Sequence, residues 1–99
     1  MANSTSVTQQ FIDVTEDGTK IYSVSAVSTG DATDTDIPVA VTRLTKIKGT
    51  PRFSIISDNQ SSPAYIVSES VSGQTVTITL NAAIENTKKV TVAGLVFGN

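Results

Sequence analysis

An all-β fold is what this sequence predicts: a single-domain antiparallel β-sandwich, jelly-roll or Ig-like, of about seven strands. Three observations predict it. Short segments in which Val and Ile alternate with Ser and Thr recur along the chain, the period-2 pattern of half-buried strands. Turn-forming residues punctuate them at intervals of roughly 8–12 residues, the spacing of sandwiches and barrels. No segment sustains a 3.6-residue apolar period, so no long helix is expected. With 99 residues the chain has room for one domain.

The elements follow in order. Residues 1–6 are small and polar and read as a flexible N-terminal arm, leaving 7–99 as the sandwich. A first strand is expected over Val7–Val14, with Phe11 its largest apolar group. Glu16–Thr19 contains Asp-Gly, a strong turn signal. In Lys20–Val27, Tyr22, Val24 and Ala26 fall on one face and Ser23 and Ser25 on the other. Ser28–Asp36 reads as a loop. Ile37–Ile47 reads as a strand whose alternation slips near Thr42–Arg43, where a β-bulge or bend is expected; Pro38 is tolerable near its start. Lys48–Pro51 is a turn, Arg52–Ser57 a short strand, Asp58–Pro63 a polar loop and Ala64–Val71 the next strand. Ser72-Gly-Gln74 turns tightly into Thr75–Leu80, the most regular alternation in the chain. Asn81–Thr87 has the composition of one short helical turn capped by Asn81, and Lys88–Phe97 is the last strand.

Composition narrows the function. The chain has no His, no Cys and no Trp. General acid–base catalysis most often uses His, and thiolate chemistry and the usual zinc and copper sites need Cys or His. A non-enzymatic protein without a cofactor is therefore expected. A formal net charge of −2 lacks the basic stripe that neutralises phosphates, which disfavours nucleic acid. No apolar run approaches the ~18 residues of a membrane-spanning helix, so no membrane partner is expected. Residues 1–6 lack the basic region and apolar run of a secretory signal. Only 16% of residues are charged, against about 25% in an ordinary soluble domain; Ser and Thr replace them. Burying a hydroxyl costs less than burying a charge, so such strand surfaces suit packing against other proteins.

Three features invite a site. Asp31, Asp34 and Asp36 offer oxygen ligands of the kind calcium takes, but their spacing fails the EF-hand pattern, and a solvated, turn-forming loop is expected instead. Arg43, Lys46, Lys48 and Arg52 gather four of the seven cations into what reads as one hairpin. They are candidate contacts with an acidic partner, or alternatively edge-strand protection. The aromatics Phe11, Tyr22, Phe53, Tyr65 and Phe97 are expected to pack in the core.

Ser72-Gly-Gln-Thr-Val-Thr-Ile-Thr-Leu80, followed by Asn86-Thr-Lys-Lys-Val-Thr-Val-Ala-Gly-Leu95, resembles the ends of small virion structural proteins of tailed bacteriophages, and the Asn-Ser-Thr-Ser start is also similar. The class most resembled is capsid decoration, or cement, proteins. The resemblance spans roughly a quarter of the chain and carries over no functional residue. It implies a small β protein, often a homotrimer, on the capsid surface of the virion between subunits of the major capsid protein, assembled in the host cytoplasm. The alternative is an Ig-like or carbohydrate-binding recognition module of a tail fibre or adhesin; exposed aromatics near Tyr22 or Tyr65, or calcium at Asp31–Asp36, would favour it. A tail-tube or neck subunit is a third reading, also oligomeric.

Overall fold

The computed structural model describes residues 3–99, and among them every regular element is a strand: β1 (Ser4–Val14), β2 (Lys20–Thr29), β3 (Asp36–Ala40), β4 (Phe53–Asp58), β5 (Ile66–Ser72), β6 (Thr75–Leu80) and β7 (Lys89–Gly98). They form two sheets, one of order β1-β2-β7-β4 and one of order β3-β6-β5. Every pairing between named strands is antiparallel. The expected antiparallel sandwich of seven strands is the observed fold.

The core is where the alternating apolar faces meet. Tyr22, Val24 and Ala26 on β2 and Val90, Val92 and Val96 on β7 point inward from one sheet. Ile37 and Val39 on β3 and Val76, Ile78 and Leu80 on β6 meet them from the other. The three strands with neighbours on both sides, β2, β7 and β6, carry the cleanest alternation, because burial of one face constrains every second residue.

Strand order refines the expected sandwich. A constant-type Ig sandwich sets strands 1-2-5-4 against 3-6-7. Here the fifth and seventh strands exchange sheets. A jelly roll takes eight strands, and seven are present among the described residues.

Four local expectations are corrected. Residues 3–6 of the expected arm belong to the fold: Ser4, Thr5 and Ser6 pair with Thr29, Ser28 and Val27. Buried Asn3 donates from Nδ2 to the carbonyls of Asp34 and Asp36 at 3.1 and 2.9 Å. Met1 and Ala2 lie outside the described residues. The third strand ends at Ala40, not Ile47. The phase slip near Thr42–Arg43 is a turn closed by the Leu44 N–H on the Val41 carbonyl at 3.2 Å, and it sends both Val41 and Leu44 into the core. No helical turn forms over 81–87. The Asn81 carboxamide instead accepts the Tyr65 N–H at 3.0 Å, and the segment crosses between sheets beside Gly30. Finally, the four clustered cations sit on a crossover between the sheets, not on a hairpin.

Candidate contact surface

The acidic groups serve the turns. Asp31 accepts the N–H and hydroxyl of Thr33 at 3.0 and 2.7 Å. Asp34 accepts the Asp36 N–H at 2.9 Å, and Asp36 accepts the Thr79 hydroxyl at 2.9 Å. The contacts of Asp31 and Asp34 are Asx-type contacts of a loop, that of Asp36 joins β3 to β6, and the Thr33 hydroxyl, with its N–H, lowers the Asp31 pKa. Glu85 is lowered in the same way by the Ser61 hydroxyl and N–H. Among the described residues, no three His, Cys, Asp or Glu side chains converge as metal ligands would.

What the surface offers is contact area. The crossover between β3 and β4 runs beside the end of β7. Ile47 bridges Gly98, and the Lys48 N–H donates to the Phe97 carbonyl at 2.7 Å. Strand pairing with β7 resumes only at Phe53, opposite Gly94. Between these contacts a groove of about 470 Å³ opens, lined by Lys48, Gly49, Thr50, Pro51, Arg52, Leu95 and Phe97. Leu95 and Phe97 are half exposed and alternate with buried Val96, so they lie on the outer face of their sheet, with Ile21 directly opposite Phe97. Two cations rim an apolar floor.

Beside this groove projects the β1–β2 hairpin, in which residues 11–18 are all exposed. The molecule measures 45 × 21 × 20 Å. Phe11 meets Tyr22 edge to face, ring centroids 5.6 Å apart at 74°, yet Phe11, Ile12 and Val14 each remain about half exposed. Asp17 organises the tip: it accepts the Thr15 hydroxyl and the Thr19 N–H. The Thr15 hydroxyl chiefly, then Thr19 and more weakly Lys48, lower its pKa to about 2. Lys48 Nζ donates to the Thr19 hydroxyl at 2.7 Å, tying hairpin to crossover.

A second apolar site lies at the other side of the sandwich, on the seam between edge strands β4 and β5. There a cleft of about 320 Å³ is lined by Phe53, Ser54, Ile55, Ala64, Tyr65 and Ile66. Tyr65 is about 60% exposed there, as are Ile56 and Val67, the chain neighbours of the lining Ile55 and Ile66.

Three β-bulges share a trait. In β1 the pairing skips Ile12, in β4 it skips Ile56 and in β5 it skips Val67. All three strands are sheet edges, where bulges discourage stray pairing. Here each bulged residue is also a large exposed apolar one.

Of the sequence-predicted contacts, the structure brings Lys48 and Arg52 to the groove rim. Lys46 lies next to the Ile47 bridge, and Arg43 lies at the turn after β3, where its N–H donates to Gln9 Oε1 at 3.0 Å. All four are exposed. Of the aromatics expected in the core, Tyr22 and Phe53 are buried, whereas Phe11, Tyr65 and Phe97 are exposed. Phe11, paired with inward Tyr22, lies next to the exposed hairpin tip, Phe97 lies on the outer face of its sheet, and Tyr65 precedes β5. The bulges had a signal in the sequence: Phe11-Ile12, Ile55-Ile56 and Ile66-Val67 are adjacent apolar pairs, and alternation can place only one member of each inward. Compared with known proteins, the chain matches no family model, no curated protein sequence and no solved structure.

Proposed function

We propose that this chain is a non-enzymatic structural subunit of a virion, a capsid decoration (cement) protein that stabilises a phage head by binding, as a homotrimer, between major capsid subunits. The observation that carries this reading is the placement of exposed apolar groups. Ile12, Ile56 and Val67 are pushed out on edge bulges, and Leu95 and Phe97 floor a groove. Between these sites the strand surfaces are hydroxylated and almost uncharged. On β5 and β6, Ser68, Ser70 and Ser72 face Thr79, Thr77 and Thr75. Exposed patches of this kind mark protein contacts, and a hydroxyl surface is inexpensive to desolvate.

Stabilisation then works by mass action. A protein that binds only the assembled shell stabilises it by RT ln(1 + [L]/Kd) per site, about 2.7 kcal/mol at a hundredfold excess over Kd. The test is co-sedimentation of the purified protein with expanded phage shells, followed by thermal disruption of the shells. Bound protein and a higher disruption temperature are expected; free protein in the supernatant at saturating concentration would overturn the reading.

One observation favours a recognition module instead. Tyr65 is about 60% exposed on the rim of the β4–β5 cleft, as a stacking platform for a sugar would be. Binding on a glycan array that is lost in Tyr65→Ala would establish that role.

A further inference from the structure

We infer that the tip of the β1–β2 hairpin of one copy docks in the Leu95–Phe97 groove of a second copy. This rests on the reading of the surface as one built for assembly, and it names the occupant of the groove.

The two surfaces are complementary in charge. Residues 10–19, at the hairpin tip, contain Asp13, Glu16 and Asp17 and no cation; residues 41–52, the crossover, contain Arg43, Lys46, Lys48 and Arg52 and no acid. They are complementary in polarity too. Phe11, Ile12 and Val14 give the tip a half-exposed apolar body, and Leu95 and Phe97 give the groove an apolar floor. An apolar centre ringed by charge is the anatomy of a specific protein interface, and opposed potentials select partner and orientation.

Within one chain this charge is left over. Lys48 is held on its own hairpin through Thr19, whereas the heads of Arg43, Lys46 and Arg52 make no hydrogen bond or ion pair among the described residues. Among the described residues Asp13 accepts only the adjacent Val14 N–H, at 2.7 Å. Tip and groove are different patches of the same chain, so the contact joins unlike surfaces. Such contacts close into rings when the rotation between copies permits.

Charge exchange tests this. The tip variant D13K/E16K spares Asp17, which holds the turn, and the crossover variant K46E/R52E, which reverses Arg52 at the groove rim and Lys46 beside it in the chain, spares Lys48, which holds Thr19. Solution mass is read by light scattering after size exclusion. The wild-type chain is expected to be oligomeric. Each variant alone opposes like charges and should associate at least about tenfold more weakly. In an equimolar mixture every contact between unlike variants opposes unlike charges again, so mixed dimers and larger mixed species should form where each variant alone does not. Both variants should keep the wild-type circular dichroism; if either does not, Ile12→Thr, an exposed bulge change, replaces it and should also weaken association. A monomeric wild type, variants of unchanged mass, or a folded mixture that stays monomeric would overturn the inference. The outcome is separable from shell binding: a monomer that still decorates shells defeats this contact alone, and an exchangeable oligomer that ignores shells defeats the virion reading alone.

Discussion

The Glu69 carboxylate accepts the backbone N–H of Phe53 at 2.6 Å, joining the two sheets across their β5 and β4 edges. Glu69 sits opposite Ile78 and so faces inward on β5, an unusual direction for a carboxylate. Phe53 begins β4 and is buried. The contact sets where the crossover ends and the strand starts.

Glu69→Ala is expected to destabilise the fold by about 1–3 kcal/mol, because it strands a part-buried donor. Glu69→Gln keeps an acceptor and should lose less. Urea denaturation of the two variants gives the ordering, and equal losses would deny the hydrogen bond its role.

Gly94 is fixed by proximity. A Cβ there would stand 2.5 Å from the Arg52 carbonyl oxygen and 3.2 Å from the Phe53 ring. Backbone cannot yield as a side-chain end does, so Gly94→Ala should cost about 1–3 kcal/mol and displace the groove wall. A thermal melt reports the first effect, and loss of self-association at a concentration where the variant is folded reports the second.

Ile78→Ala opens a cavity in a fully buried site on β6 and should cost about 2–5 kcal/mol. Ile56→Thr or Val67→Thr, on exposed bulges, should stay within about 0.5 kcal/mol of wild type and, under the proposed virion role, weaken binding to shells. A large stability loss in the bulge variants would mean that those side chains hold the fold together.

Acid stability follows from three carboxylates held below their ordinary values: Asp17 at about 2, with Asp31 and Glu85 lowered by hydroxyl and N–H donors. A depressed folded-state pKa stabilises fully above the unfolded value and ceases to do so as pH falls through the folded one. Stability owed to these groups should therefore hold from neutrality down to about pH 5, then fall as the unfolded-state pKa values near 4 are passed. For Asp17 the loss extends to about pH 2. Asp17→Asn should remove its share of that acid limb and speed hydrogen exchange at the Thr19 amide. An unchanged acid limb would count against it.

Much of the fold was legible because alternation and burial coincide. Thr75–Leu80 is predicted and observed with the same bounds, and Gly73, at φ 62°, makes the tight turn read from Ser72-Gly-Gln74. What alternation cannot convey is pairing. The period of Lys88–Phe97 shows a strand, but not that β7 lies between β2 and β4. Ile37–Ile47 looked continuous because Leu44 and Ile47 are apolar and buried; they reach the core from a crossover, which no strand period describes. The cations were visible as a cluster, but the apolar floor beneath them comes from Leu95 and Phe97, more than forty residues on.

The position of β7 also bears on how the chain acquires its structure. It follows every other strand among the described residues, yet β4 finds its one strand partner in it and β2 its second. During synthesis β1 with β2 and β5 with β6 can pair as they emerge, while one flank of β2 and the whole of β4 wait. Non-local pairing of this kind slows folding and leaves strand edges bare in the interval. A nascent chain stalled before Lys89 should therefore be protease-sensitive and held by chaperones, and protection should come in a single step once Gly98 has cleared the ribosome.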